Sequence, residues 1–337
     1  MAKLEDVARA LVAPGKGILA ADESGPTIEK RFKSIDVPSN EQNRRDYREM
    51  LFRTQGAEEF ISGVILYDET IRQKAADGTP LSKLLQDKGI IPGIKVDEGA
   101  KQLAGSPAEK VTEGLDGLRA RLGEYRGLGA KFAKWRAVIA IGDGIPSDYC
   151  LETNAHALAR YAALCIEAGI VPIVEPEVLM DGPHTLERCF DVTQRTLHLV
   201  FGALFDQRVP LEQILLKPNM VLSGTECPTQ AGVQQVAEAT LTCFRRVVPA
   251  AVPGIVFLSG GQSDELATAH LNEMNRLGHA PWQLSFSYGR ALQAPALKAW
   301  GGKAQNVAAG QRAYYHRARC NSAARYGKYT EAMERAA

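Results

Sequence analysis

Residues 169–177, GIVPIVEPE, join a continuous apolar run to two carboxylates. Ile and Val dominate the run and favour a strand. Because successive rather than alternate positions are apolar, such a strand is buried on both faces, as in a parallel sheet. Runs of the same kind recur at residues 17–22, 62–68, 91–97, 135–143, 213–219, 254–261 and 283–290. The chain therefore carries eight candidate strands.

The segments between these runs carry apolar residues at helical spacing. The clearest helical patterns span residues 41–60, 112–129, 151–169, 185–205 and 229–248. Eight strands alternating with helices in 337 residues predict the α/β class, and favour a closed (β/α)8 barrel over an open doubly wound sheet. We expect residues 1–337 to form one domain, with a short mobile tail from about residue 326.

Composition argues against several classes of function. With 40 basic and 39 acidic residues, the chain has no excess charge to attract nucleic acid or a membrane surface. No apolar stretch approaches the ~20 residues of a membrane span, and residues 1–17 lack the apolar core of a signal peptide. Cys and His residues show no C-x-x-C or H-x-x-x-H spacing. We expect a cytoplasmic protein with no disulfide framework, metal or cofactor.

Charged residues follow most of the candidate strands. The carboxyl ends of barrel strands share one mouth, where side chains distant in sequence can meet. One strand ends in Ser259-Gly260-Gly261, and the other seven have these charged residues at or near their ends: Asp22, Asp68, Lys95 with Asp97, Lys134 with Arg136, Glu175 with Glu177, Lys217 and Arg290. A strand that ends at the surface would explain any single one of these charged residues. All of them together favour a shared site. Lys134 and Arg136 belong to it only if their strand begins before them.

Lys217 follows the apolar run Ile214-Leu215-Leu216. Apolar walls and neighbouring cations both disfavour an ammonium ion, and a neutral amine can attack a carbonyl to form an imine. Glu175 and Glu177 point the same way along their strand, and mutual repulsion would suit one of them to general acid catalysis. The alternative is that Lys217 and the two glutamates are permanently ion-paired.

Two glycine-containing turns predict an anion site. SGGQSDE, at residues 259–265, offers backbone N–H groups at the start of a helix, and SYGRA, at residues 287–291, sets a glycine beside an arginine. They follow the seventh and eighth strands, where barrels of this kind often bind phosphate. GKGILA, at residues 15–20, matches a dinucleotide-binding pattern but leads into a strand, so that interpretation fails on context.

Seven stretches, in this order along nearly the whole chain, resemble the class I fructose-1,6-bisphosphate aldolases: GKGILAADES, GIKVDEG, FAKWRAVIAIG, GIVPIVEPEVL, LLKPNMV, FLSGGQS and FSYGRALQ. The resemblance implies a (β/α)8 barrel that reversibly cleaves fructose 1,6-bisphosphate to dihydroxyacetone phosphate and glyceraldehyde 3-phosphate, in glycolysis and gluconeogenesis. It implies a lysine Schiff base without metal or cofactor, a sugar phosphate as the only small-molecule partner, and a homotetramer.

The same resemblance implies roles for individual residues. Lys217 forms the Schiff base, Glu175 is the acid and base for its formation, and Asp22 assists carbon–carbon cleavage. The charge network around the amine comprises Glu177, Lys134 and Arg136. The residues implied in binding the phosphate on C1 are Ser259, Gly260, Gly289 and Arg290, with Gly261 and Ser287 beside them. Those implied for the other phosphate are Ser24, Thr27, Lys95 and Arg31.

The chain departs from many animal members of that family, because it ends in TEAMERAA and lacks their terminal tyrosine. Pro26 varies the loop near the second phosphate, which leaves a preference for fructose 1-phosphate open. A transaldolase-like enzyme and a non-catalytic scaffold are the competing interpretations. The two phosphate loops disfavour the first, and the chemically competent residue at every candidate position disfavours the second.

Overall fold

Within residues 3–335, the part that the computed structural model describes, eight parallel strands close into a barrel. The strands are β1 Gly17–Ala21, β2 Ile61–Leu66, β3 Ile91–Lys95, β6 Phe132–Ile139, β7 Val171–Val178, β8 Leu215–Leu216, β9 Gly254–Phe257 and β10 Gln283–Tyr288. Their order around the barrel is β1, β2, β3, β6, β7, β8, β9, β10 and back to β1. The predicted (β/α)8 barrel is confirmed, and each strand lies at one of the predicted runs.

Helices connect the strands. They are α1 Leu4–Leu11, α2 Gly25–Lys33, α3 Glu41–Phe52, α4 Asp68–Arg72, α5 Leu81–Asp87, α6 Leu118–Gly127, α7 Asp148–Glu167, α8 Leu186–Asp206, α9 Val233–Val247, α10 Asp264–Leu277, α11 Arg290–Trp300 and α12 Val307–Arg325. Side-chain caps start several of them: Ser147 accepts from the Cys150 amide, and Ser263 from the Leu266 amide. All five predicted helices have a counterpart. No helix within residues 3–335 is long and apolar enough to cross a membrane.

A hairpin that the sequence patterns did not predict follows β3. Strands β4 Ala100–Leu103 and β5 Ser106–Thr112 pair antiparallel outside the barrel. The hairpin lacks the continuous apolar run by which the barrel strands were recognised, because most of its side chains face solvent. Thr112 Oγ1 donates to the Arg136 carbonyl at 2.7 Å, which ties the hairpin to β6.

Apolar side chains close one end of the barrel. Phe132, Ile173, Leu215 and Val256 form a cluster inside it together with Leu11 of α1. A Cβ atom on Gly93 would lie 2.3 Å from the Phe132 ring, so a glycine is needed in β3 for this ring to fit. Because apolar side chains fill this end of the barrel, the polar side chains of the strands lie at the other end, where the strands finish.

Strand β6 begins at Phe132, three residues before the predicted start at residue 135. Lys134 and Arg136 therefore lie within the strand, as their predicted place at the mouth requires. In the parallel register, Lys134 stands beside Lys95 of β3, and Arg136 beside Glu175 of β7. Neighbouring strands thus bring like and unlike charges into one polar layer.

The final described residues pack along α10 and α12. The Tyr329 amide donates to Asn272 Oδ1 at 2.8 Å, and the Tyr329 hydroxyl donates to Glu334 Oε1 at 2.8 Å. Tyr329 is 7% exposed. The mobility predicted from residue 326 stays a prediction, and its last two positions, 336 and 337, lie outside the described residues.

Candidate active site

A cavity of about 1130 Å³ opens at the carboxyl ends of the strands. All of the predicted site residues line it: Asp22, Ser24, Thr27, Arg31, Lys95, Lys134, Arg136, Glu175, Glu177, Lys217, Ser259, Gly260, Gly261, Ser287, Gly289 and Arg290. The (β/α)8 topology accounts for this convergence, because each strand end delivers its side chains to the same opening.

Lys217 directly follows β8 and is 4% exposed. Its backbone N–H donates to the Val174 carbonyl at 2.8 Å, which continues the strand pairing through the lysine. Leu215, two residues earlier, belongs to the apolar cluster inside the barrel. Because alternate strand residues point the same way, the lysine side chain lies above that cluster, at the base of the cavity.

Lys217 and Lys134 alternate with two carboxylates. Lys217 Nζ lies 3.1 Å from Glu175 Oε1, and Lys134 Nζ lies 3.2 Å from Glu175 Oε2. Lys134 Nζ is also 2.7 Å from Asp22 Oδ2. Each carboxylate in this chain of contacts therefore meets at least one ammonium group at hydrogen-bonding distance, as buried charges require.

This arrangement keeps Asp22 and Lys134 charged. Burial by itself would raise the pKa of Asp22, but the ammonium groups of Lys134 and Lys217 outweigh it and lower that pKa to about 2. Burial opposes the charge on Lys134, yet the carboxylates of Asp22 and Glu175 hold its pKa above the ordinary lysine value. Asp22 is thus a carboxylate at neutral pH, able to accept a proton.

The two glutamates of β7 have different partners. Glu177 pairs with the Arg136 guanidinium, which keeps the pKa of Arg136 above its ordinary value although burial opposes the charge. Glu175 lies instead between Lys134 and Lys217. Both glutamates are ion-paired, as the alternative interpretation required. For Lys217, the 3.1 Å contact fits either hypothesis, since a carboxylate at that distance can hold an ammonium ion or accept its proton.

The glycine turns after β9 and β10 surround another part of the cavity. Gly260 has φ +57°, in the left-handed region that favours glycine, and the Gly261 N–H points to Met180 Sδ at 2.9 Å. Ser287 Oγ is buried and has no hydrogen-bond partner among residues 3–335. A buried hydroxyl without a partner in this wall suits an anionic group.

The residues implied for the second phosphate come from two elements, α2 with its N-cap residue and the end of β3. Ser24 and Thr27 lie at the start of α2, with their hydroxyl oxygens 3.2 Å apart. Lys95 Nζ is held 2.6 Å from Asp97 Oδ1. Arg31 Nη2 lies 3.5 Å from where a Cβ on Gly289 would be, so it reaches the turn after β10. Arg31 thus borders both proposed phosphate positions.

Glu23 is the residue that the sequence patterns missed. It is 6% exposed and makes a close ion pair with Arg31, and it accepts a hydrogen bond from Gln293 Nε2 at 2.7 Å. Its carboxylate therefore orients Arg31 at the edge of the cavity. The available signal was its position directly after Asp22 in AADES. That signal is weak, because adjacent residues at the end of a strand point to opposite sides.

Comparisons with known proteins agree with this geometry. The family model for class-I fructose-bisphosphate aldolase matches residues 3–337. A probable fructose-bisphosphate aldolase class 1 from Xanthomonas campestris pv. campestris is 60% identical, over 97% of this chain and 98% of the relative. Fructose-bisphosphate aldolase 5, cytosolic, from Arabidopsis thaliana is 54% identical, over 97% and 92%.

A solved structure is similarly close. It is a ternary co-crystal structure of fructose-bisphosphate aldolase from Plasmodium falciparum in complex with TRAP and a small molecule inhibitor. Its TM-score is 0.96 at 51% identity, covering 97% of this chain and 95% of that one. The similarity therefore extends over the whole barrel and is not limited to the cavity.

Proposed function

We propose, for a chain that belongs to the class I fructose-bisphosphate aldolase family, that Lys217 is the amine that forms the Schiff base. The reaction is the reversible aldol cleavage of fructose 1,6-bisphosphate to dihydroxyacetone phosphate and glyceraldehyde 3-phosphate. The observation that carries the assignment is the buried contact of 3.1 Å between Lys217 Nζ and Glu175 Oε1. It gives the amine a proton acceptor in a largely water-excluded position.

Imine formation needs a neutral amine and a proton donor. Lys217 passes a proton to Glu175, and its nitrogen attacks the keto carbon, whose oxygen takes that proton from Glu175 to give a carbinolamine. Glu175 next removes a second proton from the nitrogen. Glu175 then protonates the departing hydroxyl, which leaves as water, and the imine remains. Lys134, in contact with the other oxygen of Glu175, stabilises the carboxylate between these transfers.

Cleavage of the C3–C4 bond needs a base and an electron acceptor. Asp22, whose pKa burial would raise but Lys134 and Lys217 lower to about 2, accepts the proton of the C4 hydroxyl. As the aldehyde forms, the electron pair of the broken bond moves into the protonated imine and gives an enamine. Protonation of the enamine carbon and hydrolysis of the imine release the second product and restore the lysine.

The phosphates fix the sugar along the cavity. We assign the phosphate on C1 to the turns after β9 and β10, through Ser259, Gly260, Gly261, Ser287, Gly289 and Arg290. Their backbone donors, helix N-terminus and guanidinium favour an anion. We assign the other phosphate to Ser24, Thr27 and Lys95, with Arg31 between the two positions.

Reductive trapping tests the assignment of Lys217. The protein is incubated with dihydroxyacetone phosphate and borohydride, and the adduct is located by mass spectrometry. We expect the label on Lys217 and none in K217M, whereas K101M, which changes an exposed lysine of the hairpin, should label normally. A label on another lysine, or turnover abolished by a chelator, would reject the mechanism.

We also propose a cytoplasmic location and a homotetramer. The first is supported by the Arabidopsis relative, which is named cytosolic, and the second by the resemblance to a family whose members are commonly tetrameric. Light scattering coupled to size exclusion measures the mass in solution. A monomer at enzyme-assay concentrations would contradict the tetramer.

A further inference from the structure

Three potential metal ligands meet outside the barrel. His316 and Cys320 lie one turn apart on α12, and Glu334 lies in the 3-10 turn Glu331–Arg335. His316 Nε2 is 3.6 Å from Cys320 Sγ and 3.5 Å from Glu334 Oε2, and the three ligand atoms all lie within 4.8 Å of one another. Among residues 3–335, no other three His, Cys, Asp or Glu side chains bring their ligand atoms this close.

Two of the three separations match those of a tetrahedral zinc site. With Zn–S near 2.3 Å and Zn–N or Zn–O near 2.0–2.1 Å, tetrahedral angles put sulfur about 3.5 Å from nitrogen, and nitrogen about 3.4 Å from oxygen. The observed distances of 3.6 and 3.5 Å are close to both values. A thiolate, an imidazole and a carboxylate suit zinc, whereas magnesium and calcium prefer oxygen ligands alone.

Glu334 is oriented by residues behind the cluster. Its Oε1 accepts hydrogen bonds from the Tyr329 hydroxyl, at 2.8 Å, and from the Arg317 guanidinium, while Oε2 faces His316. Arg317 is 2% exposed and also donates to the Asp264 carbonyl at 3.0 Å. Outer contacts of this kind hold a ligand in position before the ion arrives.

Solvent can reach the cluster. The side chains of His316 and Glu334 are 16% and 20% exposed, while Cys320 is buried beneath them. A bound ion displaces the thiol proton, and thiolate and carboxylate together balance its two charges.

We propose that His316, Cys320 and Glu334 bind one zinc ion, with water as the fourth ligand, and that the ion clamps residues 326–335 onto α12. The clamp bears on the active site only indirectly, since Arg317 joins Glu334 to Asp264, the first residue of α10, just after the glycine turn of β9. None of the three ligands lines the catalytic cavity, so zinc serves the fold and not the reaction.

Zinc titration of the full chain tests the site. The protein is stripped with a chelator and titrated with Zn²⁺ in competition with a colorimetric zinc indicator. We expect one ion per chain, bound at least about tenfold more weakly in C320S and in E334Q. Cys227 is also buried but lies outside the cluster, so C227S should bind as the unaltered chain does. E334Q changes a partly exposed carboxylate and keeps the test valid if C320S folds poorly.

Two further measurements separate a clamp from adventitious binding. Zn²⁺ should slow amide hydrogen exchange in residues 326–335 of the unaltered chain but not of E334Q, and turnover should persist in the zinc-free protein. Equal zinc affinity in the unaltered chain and both variants would overturn the proposal. So would unchanged exchange in the tail, or turnover that requires the ion.

Discussion

Lys134 contacts two carboxylates in the candidate active site. It contacts Asp22 at 2.7 Å and Glu175 at 3.2 Å, while Glu175 also contacts Lys217. A buried carboxylate that loses such a partner is left uncompensated and takes up a proton. At the scale of single residues, the chemistry of Asp22 and Glu175 therefore depends on an ammonium group that forms no bond with the substrate in the proposed mechanism.

K134M should shift the acid limb of the pH–rate profile. Without Lys134, burial is opposed mainly by Lys217, so the pKa of Asp22 rises from about 2 and its carboxylate is lost at a higher pH than in the unaltered chain. We expect kcat to fall about 100-fold or more at neutral pH. Steady-state kinetics against pH measure both effects. K101M is the matched control, and an unchanged acid limb in K134M would contradict the assignment of Asp22.

Strand β6 shows what an element contributes to the site. Its register against β7 sets Arg136 beside Glu175, yet the Arg136 side chain pairs with Glu177. Residue patterns predicted that charged residues gather at the mouth, but not their pairing, which depends on register and on how far each side chain reaches. The start of β6 was misjudged for a similar reason, since Lys134 interrupts the apolar pattern while being buried by its tertiary partners.

G93A tests the packing of β3 against Phe132. The new methyl group would meet the ring at 2.3 Å, so we expect the free energy of unfolding to fall by about 1–3 kcal/mol. The control is G123A on α6, where nothing lies within 4 Å and the same methyl group should stabilise the helix by about 0.5–1 kcal/mol. Denaturant unfolding measures both. Equal effects in the two variants would show that the clash with Phe132 is unimportant.

The whole molecule separates the end that stabilises the fold from the end that holds the candidate active site. Leu11 of α1 packs among the apolar side chains inside the barrel, and Lys217 lies at the mouth. In (β/α)8 barrels the catalytic groups come from the carboxyl ends of the strands, and the opposite end contributes stability. Changes at the closed end should therefore affect unfolding much more than turnover.

L11A should lower the free energy of unfolding by about 2–5 kcal/mol, because it removes a fully buried side chain and leaves a cavity. We expect kcat at a temperature where the variant is folded to stay within about twofold of the unaltered value, as no catalytic group is touched. Denaturant unfolding and kinetics on the same preparation measure the two quantities. A fall in kcat parallel to the loss of stability would argue against separate ends.

The sequence by itself determined the barrel, its eight strands and the residue types at its mouth, because hydrophobic periodicity and strand-end polarity are local properties of a chain. Only the tertiary structure decided that Glu175 lies between two lysines while Glu177 pairs with Arg136, and that Glu23 holds Arg31. It also decided that Glu334 returns to His316 and Cys320. These pairings join residues from different elements, and they depend on strand register and on the path of the tail, which no local pattern encodes.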